Sequence, residues 1–410
     1  MRVLVTEGSS LSARETITAL GLAGHEIVLC GSRTVCIGRF SRFVRRFILG
    51  PAPAKDPAAF FRFVMQTIER ERVAVLVPSH EEALIFSKML PSLEKRVAVA
   101  LPRYESYLEL LSKARFTAVL AKLGLPSPKT LVLDSIEVME KAAFYPSFLK
   151  TEYGTASAGV WRLESFADLH KVLETGALSE ATNASSRLLL QERAPGALEA
   201  GYAEFDHGEL VAFHASRRII EGARGGRALN LGVERVDVAR HFAAIGKHLD
   251  WHGPLAIDYL YDENDKIPRY IDASPRLCEP GAALAHGVDL PSMQVAISLG
   301  IRNGQTAFSS GGVKSHAMLQ ALLGSAERGA TRRDLFRLSR QIESRRGEYE
   351  GSIEELTPTA LDPLSALPLA FVKARLLARP SSAATIAGET VGAYAMDVRA
   401  VKAVEELTVS

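Results

Sequence analysis

The sequence predicts a chain of mixed α/β and α+β class. An α/β domain is expected over about residues 1–110, an α+β domain over 111–310 and a mainly helical region over 311–410. Three observations carry this. Short apolar runs alternate with helical segments at the start, strands dominate from Lys113 onward, and after about residue 325 the pattern turns helical, basic and proline-cut.

In the first domain, Val3–Thr6, Glu26–Cys30, Val73–Val77 and Val97–Ala100 read as short apolar strands, with helices at Ser12–Ala23 and Phe60–Arg72. Continuous apolar strands separated by helices imply a parallel sheet covered on both faces, with ligands at the carboxyl ends of its strands. Two loops sit at such ends, Glu7-Gly8-Ser9-Ser10 and Pro78-Ser79-His80-Glu81-Glu82. They read equally as strand-to-helix turns with Ser caps or as substrate contacts. The basic stretch Arg39–Phe47, with interleaved Phe residues, reads as a surface turn of helix whose rings pack inward while the Arg heads snorkel. A nucleic-acid or membrane patch is its sharper alternative.

Beyond a helix at Ala114–Leu123, strands are expected at Thr130–Leu133, Ser147–Lys150, Gly159–Leu163, Arg187–Gln191, Tyr202–Asp206, Leu210–Ser216, Leu255–Tyr261 and Arg269–Asp272. Helices at Ser165–Thr175 and Val236–Leu249 interrupt them. The tail carries Arg332, Arg333, Arg337, Arg340, Arg345 and Arg346, with Pro358, Pro363, Pro368 and Pro380 dividing it into short helices, and reads as a solvated helical cap.

Composition narrows the function classes. The chain of 410 residues has 49 basic and 47 acidic side chains, a net charge of +2, so the long-range attraction that a nucleic-acid binder needs is missing. Its 3 cysteines cannot form a disulfide framework or a Cys-rich zinc site. No secretory signal and no apolar run of membrane-spanning length is read, so a cytoplasmic protein without a transmembrane segment is expected.

Four separated pieces suggest one site. Lys113 stands just before a helix. The strand Tyr145–Lys150 ends in a lysine and runs into the small-residue loop Gly154-Thr155-Ala156-Ser157-Ala158-Gly159. An ammonium beside backbone N–H groups of such a loop suits a polyphosphate, although no Walker sequence is present. Leu188–Gln191 runs into the polar hinge Glu192-Arg193-Ala194-Pro195-Gly196, with Glu199 beyond it. Asp258 and Asp272 lie on two strands joined by the turn Asp262–Lys266, and Ser274-Pro275-Arg276 follows. Hairpin partners can bring two carboxylates to one hard cation, and Mg²⁺ takes oxygen ligands.

The order of these pieces (lysine before a helix, strand lysine with small-residue loop, Q-E-x-x-x-G hinge, then D followed by D-x-S-P-R) resembles the ATP-grasp superfamily of carboxylate–amine ligases. Its opening domain is similar to the Rossmann-like pre-ATP-grasp domain of that family. The resemblance reaches residue 310 and implies a two-lobed ATP-grasp domain, with a lid lobe over about 130–195 and a helical C-terminal extension.

By matching position, Lys113 and Lys150 would bind ATP phosphates under a lid that includes Ser157. Gln191, Glu192 and Ala194 would face adenine, Glu199 the ribose, and Asp258, Asp272 and Ser274 would hold Mg²⁺. Arg276 would bind the transferring phosphoryl group, and Arg217 or Arg218 the substrate carboxylate or γ-phosphate. Asp272 and Ser274 stand where the family usually has Glu and Asn, which keeps oxygen donors but leaves the second metal ion open. The implied activity is activation of a small carboxylate as an acyl-phosphate, then capture by an amine, with small-molecule partners, no nucleic acid and homodimerisation admitted. Two alternatives remain, a catalytically inactive ATP-binding regulatory protein and an NADP-binding oxidoreductase. The second rests on Ser32-Arg33, and the single Gly8 in the first turn weakens it, because the dinucleotide fingerprint wants three glycines.

Overall fold

The computed structural model describes residues 1–176, 178, 187–301, 304–356, 361–392 and 395–408. Three sheets organise them. The first contains β1 (Arg2–Val5), β2 (Glu26–Gly31), β3 (Val44–Leu49) and β4 (Val75–Val77), all parallel, in the order β3-β2-β1-β4. Along its strands Val3, Val5, Ile27 and Leu29 bury on one face, and Leu4, Val28 and Leu76 on the other. That two-sided burial is why the sequence shows unbroken apolar runs rather than alternation. Helix Leu11–Leu22 starts where Ser10 Oγ accepts a hydrogen bond from the Ala13 N–H at 3.0 Å. Helix Pro57–Glu71 starts where Asp56 accepts from Ala59 at 2.8 Å.

The expected surface turn of helix at Arg39–Phe47 is instead a loop leading into the edge strand β3. Phe43 and Phe47 do pack inward, whereas Phe40 lines the large cavity, and Arg39 lies 4.9 Å from the Phe47 ring centroid. The hydrogen-bonding edge of β2 takes up the Val44–Leu49 backbone, which outweighs the helix propensity of the Arg residues. The strand expected at Val97–Ala100 reduces to a single bridge, Ala98 to Val75.

The second sheet is antiparallel and contains β5 (Thr130–Leu133), β6 (Ser147–Thr151), β7 (Val160–Leu163) and β8 (Leu188–Glu192), ordered β5-β8-β6-β7. The third is built on β9 (Ala197–Asp206), β10 (Glu209–Glu221), β11 (Arg227–Gly232), β12 (Gly253–Asp262) and β13 (Ile267–Ser274). Further along the chain it also takes in β14 (Ala307–Phe308), β15 (Lys314–His316) and β16 (Ile353–Glu354), so the segment after 310 contributes strands as well as helices. Its order is β13-β12-β9-β10-β11-β15-β16, with β14 pairing β10. Helix Val236–Leu249 covers one face through Val238, Phe242 and Ile245, which pack with Phe205, Ile257 and Tyr259.

The C-terminal helices do not stand off as a solvated cap. Met396, Ala400, Val401 and Val404 join the core around Leu4 and Val28. Arg14 and Asp362 form an ion pair at 3.1 Å with side chains 1% and 0% exposed, and Asp362 also accepts from Ser41 Oγ at 2.6 Å. Among the described residues no helix is long and apolar enough to cross a membrane.

Candidate active site

A cavity of about 1280 Å³ opens where the three sheets and the C-terminal helices meet. Strand periodicity decides which residues reach it. On β12, Ala256, Asp258 and Leu260 line the cavity, whereas Leu255, Ile257 and Tyr259 are buried on the opposite side. On β13 there is no such alternation, and Ile271, Asp272, Ala273 and Ser274 all line it. Asp258 and Asp272 are register partners across the hairpin. Like charges facing each other in this way repel, and a cation answers each. Arg227 donates to Asp258 at 2.8 Å, and Lys113 Nζ lies 3.3 Å from Asp272.

Lys150, at the end of β6, is buried, and its Nζ donates to Gln191 Oε1 at 2.7 Å and to the Ile271 carbonyl at 3.1 Å. Burial pushes its pKa down to about 8, with Lys113 pushing the same way and Asp272 and Asp258 opposing. Gln191 is fixed in turn by donating to Thr130 Oγ1 at 3.0 Å. Lys113 Nζ also donates to the Gly154 carbonyl at 3.1 Å, which ties the small-residue loop to the site. Gly154 and Gly159 have φ of 153° and 73°, and Ala156 and Ser157 hold φ of 50° and 60°, a region that costs non-glycine residues energy. Ser157 Oγ reaches across to donate to the Arg224 carbonyl at 3.1 Å, so the loop spans from the second sheet to the third.

Both carboxyl-end loops of the first sheet contribute. Ser9, Ser10, His80 and Glu81 line the cavity, so Ser10 is at once helix cap and wall. Burial raises the Glu81 pKa against the pull of Arg276, and burial with Arg276 keeps His80 well below its ordinary value. Arg276 lines the cavity, with Nη1 donating to Cys278 Sγ at 2.9 Å.

Lys113, Lys150, Ser157, Gln191, Glu192, Asp258, Asp272, Ser274 and Arg276 therefore share one cavity. Three expected residues do not line it. Glu199 is completely buried, gripped by Arg217 Nε and Arg235 Nε, each at 2.8 Å. Its register partners are Arg217 on β10 and Tyr259 on β12, so all three share the sheet face opposite Asp258. Arg217 is thereby turned away from the cavity, and its neighbour Arg218 faces it. Ala194 lies in the hinge outside the lining.

Sequence reasoning missed Arg227 and Glu279. Arg227 bridges Asp258 and Glu279, which it approaches at 3.5 Å, while Tyr202 Oη donates to Glu279 at 2.5 Å. A strand opening with arginine straight after Gly225-Gly226 was the available signal.

No family model matches the chain. No curated protein sequence matches it either. Solved structures do. The biotin carboxylase domain of Hydrogenobacter thermophilus 2-oxoglutarate carboxylase, in complex with MgADP, ADP and bicarbonate, is 17% identical with a TM-score of 0.60 over 75% of this chain and 71% of that one. The Staphylococcus aureus N5-carboxyaminoimidazole synthetase, complexed with ADP, is 12% identical with a TM-score of 0.59 over 76% and 80%. The L-amino acid ligase of Bacillus licheniformis is 14% identical with a TM-score of 0.56 over 73% and 74%. At such identities the likeness shows the fold alone, and it is the ATP-grasp fold.

Proposed function

We propose that this protein is an ATP-dependent ligase that activates a small carboxylate as an acyl-phosphate and joins it to an amine. The observation that carries the reading is the facing pair Asp258 and Asp272, set beside Lys113 and Lys150 in one cavity under a small-residue loop. The substrate carboxylate oxygen attacks the γ-phosphorus of ATP, the bond to the β-phosphate oxygen breaks and ADP leaves. The amine nitrogen then attacks the acyl carbon, phosphate departs, and the nitrogen loses a proton.

The chain's own residues supply position and charge. Lys150 and Lys113 hold phosphate oxygens, Gln191 and Glu192 bound the nucleotide on the hinge side, and the Thr155–Gly159 loop shields the acyl-phosphate from water. Arg276 and Arg218 face the transferring phosphoryl group and the carboxylate. Two opposed carboxylates and a hydroxyl on one hairpin form an oxygen donor set that fits Mg²⁺, so Asp258, Asp272 and Ser274 would hold it. When bound, the ion would neutralise phosphate charge. The Hydrogenobacter and Staphylococcus neighbours, which carry MgADP and ADP, support a nucleotide as ligand.

The oxidoreductase alternative is disfavoured by the turn after β1. There the buried Glu7 carboxyl accepts from Ser9 N–H and Ser32 Oγ, each at 3.2 Å, so it occupies the donors that a pyrophosphate would need. Arg33, the residue expected to suit a 2′-phosphate, instead lies 3.3 Å from Glu389.

The test is ADP release with panels of carboxylates and amines. Asp272→Ala should lower Mg²⁺-dependent turnover by at least about 100-fold while circular dichroism stays unchanged. Near-normal turnover in that variant would remove the metal assignment.

A further inference from the structure

The cavity is larger than the roughly 300–1,000 Å³ usual for one small ligand, so it has room beyond a nucleotide. Its two ends differ in chemistry. One end holds the lysines, the paired aspartates and Arg276. The other is walled by Val35 and Phe40 from the segment between β2 and β3, and by Leu367, Phe371, Val372 and Ile386 from the C-terminal helices. Val35, Leu367 and Phe371 are 67%, 54% and 66% exposed, although they line a concave wall. Large apolar side chains left open inside a pocket mark where apolar matter is covered in the working complex.

The two walls are held in register by Arg33, whose Nη1 donates to the Glu389 carbonyl at 2.9 Å while its charge is met by the Glu389 carboxylate. Arg375, on the helix that carries Phe371, and Arg224 line the cavity as well. At the other end Arg276 and Arg218 offer a carboxylate its charge partners.

We infer, resting on the ligase reading, that the carboxylate substrate carries a bulky alkyl or aryl body, seated between Val35 and Phe40 on one side and Leu367 and Phe371 on the other, with its carboxylate directed to Arg276. The same seating excludes water from the acyl-phosphate, because the apolar body fills the cavity mouth behind it.

The experiment supplies Mg²⁺-ATP and hydroxylamine, which converts any acyl-phosphate to a hydroxamate without needing the natural amine. The acids are 3-phenylpropionate, hexanoate and free leucine, against acetate, glycolate and free serine. At least one apolar acid should exceed every polar one in kcat/KM by about tenfold or more. Phe371→Asp, and separately Leu367→Asn, should raise KM for the apolar acid about tenfold with kcat little changed. Both side chains are already mostly exposed, so the fold tolerates them, and unchanged thermal unfolding verifies that.

Preference for the polar acids, hydroxamate from none of the apolar ones, or an unmoved KM in both variants would overturn the apolar-body assignment. Calorimetry with MgADP on the wild type separates the two levels. Binding together with any of those outcomes removes only the substrate class, whereas absent binding removes the ligase reading and this inference with it.

Discussion

Arg217 and Arg218 are adjacent in sequence and opposite in fate. Arg217 pairs with Glu199 on the covered face of the third sheet, and Arg218 faces the cavity. The segment Ser216-Arg217-Arg218-Ile219-Ile220 has no strict alternation, and the pairing of β10 with β11 shifts between Arg218 and Ile220. The face each side chain takes is set by inter-strand register, which local sequence does not encode, and a one-residue slip exchanges the faces. The face of Glu199 is likewise set by register, through its pairing with Arg217 and Tyr259. Lys113, Lys150, Asp258, Asp272 and Arg276 were legible because each stands at the end of an element or on a hairpin whose turn is written in the sequence. Glu199→Ala would leave Arg217 and Arg235 with Glu263 as their one carboxylate, beside a buried hole. It should cost about 3 kcal/mol in denaturant unfolding and leave nucleotide affinity within about twofold. A large loss of affinity at unchanged stability would return Glu199 to the nucleotide.

At the scale of elements, β1, β2 and β4, buried on both faces, are legible in the sequence, whereas the equally apolar Val97–Ala100 forms a single bridge and short strands that exist only through pairing are not legible. β11 and the two-residue strands β14 and β16 have no periodicity of their own, and they form because a longer neighbour offers an open edge. β3 is the same case in a basic segment. The small-residue loop was legible as a loop, but not its left-handed run from Ala156 to Ser157 or its reach to Arg224. Gly159 shows how tightly that loop is set. Its φ is 73°, and a Cβ there would fall on Thr151 Oγ1. Gly159→Ala should therefore displace the loop and lower kcat/KM for hydroxamate formation about tenfold, with little change in the global unfolding midpoint. Unaltered kinetics would show that the loop takes no part in turnover.

Over the whole molecule, the C-terminal region is the part the sequence left least determined, because its partners lie more than three hundred residues away. Asp362 meets Arg14 and Ser41, and Met396 N–H donates to Glu81 at 2.7 Å. Another joint is carboxylic. Glu15, on the helix Leu11–Leu22, accepts from the Gly281 N–H at 2.9 Å, and Glu355 accepts from Ser315 Oγ at 2.6 Å and Asn230 Nδ2 at 3.1 Å. Burial first, then Glu279, raises the Glu355 pKa, and burial with the Glu355 charge does the same for Glu15. A carboxyl raised on folding retains a proton that the unfolded chain gives up. Its stabilisation is full below the ordinary value of 4.5 and is lost as pH rises through the raised value. Stability should therefore fall from mildly acidic to mildly alkaline buffer. Glu355→Gln should flatten that slope and be the more stable form at the alkaline end. A wild-type stability that rises across this range would contradict the coupling.

Nucleotide binding is the claim on which the site stands. It is tested most directly by calorimetric titration of a non-hydrolysable ATP analogue, with and without Mg²⁺, on the wild type and on Lys150→Ala. The account predicts binding that is strengthened by Mg²⁺ and weakened at least about tenfold in the variant, since a buried phosphate loses its charge partner. Equal affinity in both proteins, or no binding to the wild type, would contradict it.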